Sequence, residues 1–166
     1  MFEIKNTPWL PPDAITFLDE YLKPDMTVIE TGAGGSTIWL AKRVDTVITF
    51  EHDPMWKELV LRQLKQKCLD HIVTIWLDCE YPNDGIEPIN NIVFDLALID
   101  GRGRVKSIET IKDHIKPGGI IMLDNSERER YKPACDLLDG LGWERTDFIG
   151  EWQATAWRKP ESIKIN

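Results

Sequence analysis

Carboxylates stand where successive apolar runs break: Glu30, Glu51, Asp78, Asp100 and Asp124. The first is followed by Thr31-Gly32-Ala33-Gly34-Gly35-Ser36-Thr37. Glycines so spaced leave room for a ligand to approach the backbone closely. A phosphate-cradling loop needs Gly-Lys-Ser/Thr at its end; here Gly34 and Gly35 lead directly into Ser36 and Thr37. The dinucleotide fingerprint needs a third glycine where Thr37 stands, although Glu51 does follow at about the 20-residue distance of its ribose acid. Glu30, two residues before the first glycine, would repel a pyrophosphate. Salt relieves little of that repulsion at contact distance. The loop suits a ligand with a positive amino group.

A second group comprises Asp100, in LIDGRGR, and Asp124 with Asn125, in MLDNSERERY. Two carboxylates and an amide oxygen form a hard-oxygen set suited to Mg²⁺ or Ca²⁺. Arg102, Arg104 and Arg128 lie beside it, and guanidinium forks match carboxylate and phosphate groups. An anionic acceptor is one expectation; solvated arginines, or ion pairs with Glu127 and Glu129, are the plainer alternative. His52, His71 and His114 are dispersed, with no partner at motif spacing.

Regular elements must position these residues. Ile15, Leu18 and Leu22 recur at helical spacing after a Pro-rich lead, predicting a helix over 13–22. MTVIET, TVITFE, HIVTIWL, VFDLALID and IIMLD read as strands, with helices at STIWLAKRV, PMWKELVLRQLKQKC, VKSIETIKDHI and YKPACDLLDGLG. KPGG reads as a turn before the fifth strand, and residues 79–92 as a loop of turn formers. WERTDFIG and WQATAWRK are close enough to pair as an antiparallel hairpin. Alternating strands and helices imply a parallel sheet covered on both faces. Ligands bind such sheets at the carboxyl ends of the strands, where the carboxylates stand.

At this point the chain resembles the class I S-adenosylmethionine-dependent methyltransferases. Their first motif (acidic residue, any residue, Gly, any residue, Gly) stands here as Glu30-Thr31-Gly32-Ala33-Gly34. The resemblance spans roughly residues 12–158 and includes KPGG and the terminal hairpin. It implies a Rossmann-like three-layer α/β fold with a mostly parallel seven-stranded sheet. It makes Glu51 the ribose acid and Asp78 the partner of the adenine amino group. Gly32, Gly34 and Gly35 then give room to the methionine tail, Ser36 and the following amides hold its carboxylate, and Glu30 meets its amino group. Asp100, Asp124 and Asn125 resemble the metal site of catechol-type and caffeoyl-CoA-type O-methyltransferases, which makes Asp100 and Asp124 the catalytic candidates and Mg²⁺ a candidate cofactor. The lysine those enzymes carry three residues after the first Asp is replaced by Gly103, leaving the base unassigned. The alternative is that Asp100 helps hold the cofactor's amino group.

The chain has 166 residues and a net charge of −8, with 42% hydrophobic and 29% charged residues. That length fits one domain over 1–166, with 1–24 as a helical lead or lid. The acidic balance argues against nucleic acid and anionic membranes, which need a basic face. IDGR stands where amino-methylating DNA enzymes of this fold carry Asn-Pro-Pro-aromatic. Cys68, Cys79 and Cys135 have no zinc-ligand or disulfide spacing. With no signal-like or membrane-length apolar run, a cytoplasmic location is expected. The terminal strands suggest a homodimer. The sequence reading is methyl transfer from S-adenosylmethionine to a small acceptor, most simply on oxygen. A cofactor-binding module without transferase activity and an NAD-dependent oxidoreductase are the alternatives.

Overall fold

The computed structural model describes residues 3–77 and 89–161. Asp78 and Cys79 lie outside the described residues, as does most of the expected turn-rich loop. The elements run α1 (Pro12–Tyr21), β1 (Thr27–Thr31), α2 (Gly35–Ala41), β2 (Thr46–Glu51), α3 (Pro54–Gln66), β3 (Val73–Leu77), β4 (Phe94–Ile99), α4 (Arg104–Ile111), β5 (Ile115–Asp124), α5 (Lys132–Gly140), β6 (Glu144–Ile149) and β7 (Gln153–Arg158).

The strands form one seven-stranded sheet in the order β3-β2-β1-β4-β5-β7-β6. Neighbours from β3 to β5 pair in parallel, and β7 lies antiparallel between β5 and β6. This is the expected α/β architecture with its terminal hairpin. The alternation of strand side chains builds two cores. Val28, Val47, Leu96, Leu98 and Met122 face α1, α2 and α3 through Leu18, Ile38 and Val60. Ile29, Ala97, Ile99, Ile121 and Leu123 face α4 and α5 through Ile108, Ala134 and Leu138. Each fully buried Leu or Ile of this set contributes roughly 1.5–3 kcal/mol of transfer free energy.

Local chemistry fixes the element ends. Asp53 caps α3, accepting the Met55 and Trp56 N–H groups at 2.8 and 3.1 Å, with Pro54 opening the helix. Two boundaries differ from expectation. KPGG lies inside β5, which already begins at Ile115; the irregularity is absorbed as a register shift opposite Phe94 and Leu96. The expected helix through 115 ends at Ile111, followed by a 3₁₀ turn over Lys112–His114.

Strand order reverses between β1 and β4, whose carboxyl ends bear Glu30 and Asp100. The turns leaving these strands touch through glycine. Gly32 has φ +88°, and a Cβ there would sit 3.0 Å from the Gly101 nitrogen; a Cβ at Gly101 would sit 2.9 Å from the Gly32 nitrogen. No side chain fits between them, so both positions must be bare.

Candidate functional site

Glu30 lies at the end of β1, directed by strand alternation toward α2. It is fully buried and accepts hydrogen bonds from the Ser36 hydroxyl and, at 2.6 Å, from the Thr37 hydroxyl. Thr37 in turn accepts the Gly34 N–H at 2.8 Å. Loss of water pushes the Glu30 carboxyl up to about 7, against the pull of those two hydroxyls. Glu30 thus braces the glycine loop from beneath, and Ser36, expected beside a ligand carboxylate, turns its hydroxyl inward to Glu30.

Glu51 ends β2 and is 3% exposed. One carboxylate oxygen accepts the His52 and Asp53 N–H groups at 2.8 and 2.9 Å. The other accepts the Ala33 N–H at 3.0 Å, tying β2 to the glycine loop. His52 Nδ1 lies 2.9 Å from Glu51. Trp56, to which the sequence assigned no role, donates its indole N–H to the Ala33 carbonyl at 2.6 Å. Its position three residues after the Asp53 cap was the available signal.

Three cavities open at this end of the sheet, two of them against the loop. The first, about 930 Å³, runs past Gly32, Glu51, His52 and Trp56 to Arg102 and Tyr131. The second, about 630 Å³, lies between Gly32–Ser36 and an N-terminal wall of Lys5, Thr7 and Trp9. That wall is pinned by Gln63, whose side chain bonds the Ile4 N–H at 2.9 Å and carbonyl at 2.7 Å. Gly35 completes the fit, since a Cβ there would collide with the Lys5 and Thr7 carbonyls. The third, about 440 Å³, is lined by Trp9, Asp100, Arg104, Asp124, Asn125, Arg128 and Trp152. Asp100 borders all three.

Asp100 and Asp124 are brought together as expected, their carboxyl groups in hydrogen-bond contact with each other, and a buried arginine flanks the pair. Arg104, on the first turn of α4, is 8% exposed. Its Nη2 donates to the Asp100 carboxylate at 2.9 Å and carbonyl at 2.8 Å. Nη1 donates to the Asp124 carbonyl at 2.5 Å and lies 3.5 Å from the Asn125 amide oxygen and 3.7 Å from the Asp124 carboxylate. Nε donates to the Gly101 carbonyl at 2.9 Å. The Trp152 indole donates to Asp124 at 2.7 Å. Burial raises the Asp124 carboxyl despite Trp152 and Arg104. Burial, partly offset by Arg104 and reinforced by Asp124, pushes Asp100 up to about 7.

These residues do not fit Mg²⁺. The oxygens expected around it face the Arg104 guanidinium instead. The expectation of Mg²⁺ at Asp100, Asp124 and Asn125 finds no support in this arrangement. Arg104 is likewise committed to Asp100, Gly101 and Asp124, leaving it no free fork for an acceptor. Arg102 and Arg128 are exposed, on the first and third cavities. Asn125 has φ +51° and turns into the third cavity.

No protein-family model matches the sequence, and no curated protein matches it. Solved structures match by shape. A Staphylococcus aureus protein assigned as a caffeoyl-CoA O-methyltransferase superposes with a TM-score of 0.73 at 18% identity, over 92% of this chain and 86% of that one. An rRNA methylase from Streptococcus thermophilus gives 0.65 at 19%, over 88% and 93%. The O-methyltransferase TomG from Streptomyces achromogenes, involved in tomaymycin synthesis and solved with S-adenosylmethionine, gives 0.67 at 15%, over 81% and 73%. The chain has the class I methyltransferase fold. Its neighbours in that fold act on unlike acceptors, so the fold alone does not select a substrate. No helix among the described residues is long and apolar enough to cross a membrane.

Proposed function

We propose that this protein is an S-adenosylmethionine-dependent methyltransferase acting on a hydroxyl of a small acceptor. The observation that carries the reading is the place of Asp100, at the meeting point of the loop cavities and the Trp9–Trp152 cavity. S-adenosylmethionine, when bound, supplies an electrophilic methyl group on a sulfonium. The residues that would hold it are Glu51 for the ribose hydroxyls, Gly32, Gly34 and Gly35 for the tail, and Glu30, acting through Ser36 and Thr37, for loop shape. Asp78 remains the proposed adenine partner.

On the acceptor side, Trp9 and Trp152 stand edge to face, 5.9 Å between centroids. They offer apolar walls to a flat group, and Arg128 offers a cation to an anionic substituent. Asp100, its side chain 40% exposed, is the group placed to accept the hydroxyl proton. A carboxyl held near neutrality can take and return a proton at physiological pH. The enzyme's main contribution is holding the acceptor oxygen in line with the methyl group.

The net charge of −8 favours a small acceptor over RNA. Methyl transfer from labelled S-adenosylmethionine to a panel of hydroxylated aromatic acids, with ribosomal RNA in parallel, tests both halves. Label in a small acceptor supports the proposal. Label in RNA alone replaces its acceptor, and cofactor binding without transfer to anything leaves a binding module.

A further inference from the structure

Arg104 is buried in a cage built only of oxygen. Its three nitrogens face the carbonyls of Asp100, Gly101 and Asp124, the carboxylates of Asp100 and Asp124, and the amide oxygen of Asn125. Such a donor set is what a hard divalent cation takes. Here it is spread around a flat fork, whereas Mg²⁺ demands near-ideal octahedral geometry about a point. A guanidinium has donors only and keeps its charge at any pH the protein survives. Tyr131 packs on its outer side, 5.0 Å from ring centroid to Cζ. The cage and its cation are therefore complete within the chain.

We infer that Arg104 is a built-in cation occupying the position of a divalent metal, and that it is a positioning residue which fixes Asp100 and Asp124 without any metal. Two consequences follow from charge balance. The wild-type protein takes up no divalent ion between Asp100 and Asp124. Removing the guanidinium leaves two carboxyl groups in contact with each other and without a cation beside them, with Asp124 6% exposed at its side chain. A buried charge stripped of its partner is strongly destabilising, and a divalent cation would restore the balance. Neither consequence depends on methyl transfer, so a failed activity assay leaves this inference standing.

The test is a Mn²⁺ titration of chelator-treated protein, followed by the loss of the free-ion electron paramagnetic resonance signal. Wild type is expected to bind no Mn²⁺ that Asp124→Asn abolishes. Arg104→Met is expected to bind one equivalent, to lose it on adding Asp124→Asn, and to regain with Mn²⁺ much of the thermal midpoint it loses without it. Arg104→Lys retains a cation and is expected to resemble wild type in binding. Stoichiometric, Asp124-dependent Mn²⁺ binding by wild type would overturn the inference. So would an Arg104→Met protein that folds yet binds no more Mn²⁺ than wild type. If Arg104→Met fails to fold even in Mn²⁺, the wild-type titration decides the question alone.

Discussion

The two polar centres of this molecule are built from similar residues in opposite ways. At the ends of β1 and β2, Glu30 and Glu51 are spent on hydroxyls and N–H groups of the adjoining turns. Among the described residues no lysine or arginine pairs with either carboxylate, and the His52 ring nitrogen lies beside Glu51. At the ends of β4 and β5, Asp100 and Asp124 are held by one buried guanidinium and an indole from β7's approach. The first centre is a preformed shape made by backbone; the second is a balance of charge. Shape tolerates loss of charge poorly only where donors are left orphaned, whereas a charge balance fails when either sign is removed.

The largest expected effect is on shape. Gly32→Ala must hold a Cβ at φ +88° and 3.0 Å from Gly101. The left-handed backbone costs about 1–2 kcal/mol and the overpacking about 1–3 more. A thermal melt should show a drop of several degrees, and calorimetry with S-adenosylhomocysteine should show no binding. A variant of wild-type stability would mean the two turns do not touch in solution.

Glu51→Ala comes next. It orphans the buried Ala33 N–H, at about 1–3 kcal/mol, and frees the part-buried His52 and Asp53 N–H groups, which water can reach. Cofactor affinity is expected to fall at least tenfold, about 1.4 kcal/mol; unchanged affinity would remove Glu51 from the ribose site.

How much of each centre the sequence discloses follows the same division. The β1 loop is legible because its determinants are contiguous: Glu30, the glycines, Ser36 and Thr37 lie within eight residues of one another. The strands are legible because their apolar runs are buried on both faces, as in Phe94–Ile99. The cage at β4 and β5 is not, because Arg104, Asp124 and Trp152 meet only through the sheet. In the sequence Arg104 is one of several arginines near an acidic pair, and nothing in LIDGRGR distinguishes it from Arg102. The KPGG turn is misread because β5 continues through it with a register shift rather than starting after it.

A smaller effect depends on pH and is shared by the two centres. Glu30 has a folded-state pKa of about 7 against an ordinary 4.5. Its protonated form is therefore favoured by folding. That contribution is fully present below about 4.5 and is lost as pH rises through about 7. Glu30→Gln should flatten the decline of thermal midpoint across this window; Asp100, raised to about 7 in the same sense, leaves a residual slope. An identical profile in wild type and variant would place the titration elsewhere.

The smallest structural effect is expected at Trp9, which is 80% exposed. Trp9→Ala should change stability within about 0.5 kcal/mol. Once an acceptor is found, its KM should rise with little change in kcat. A fall in kcat alone would put Trp9 outside the acceptor cavity.

The account's central claim is that the cavity around Gly32–Ser36 and Glu51 admits a nucleoside bearing an amino-acid tail and rejects a diphosphate. Differential scanning fluorimetry with S-adenosylhomocysteine and NAD in parallel tests it most directly. A rise in midpoint with S-adenosylhomocysteine and none with NAD is the expected result; stabilisation by NAD alone would contradict it.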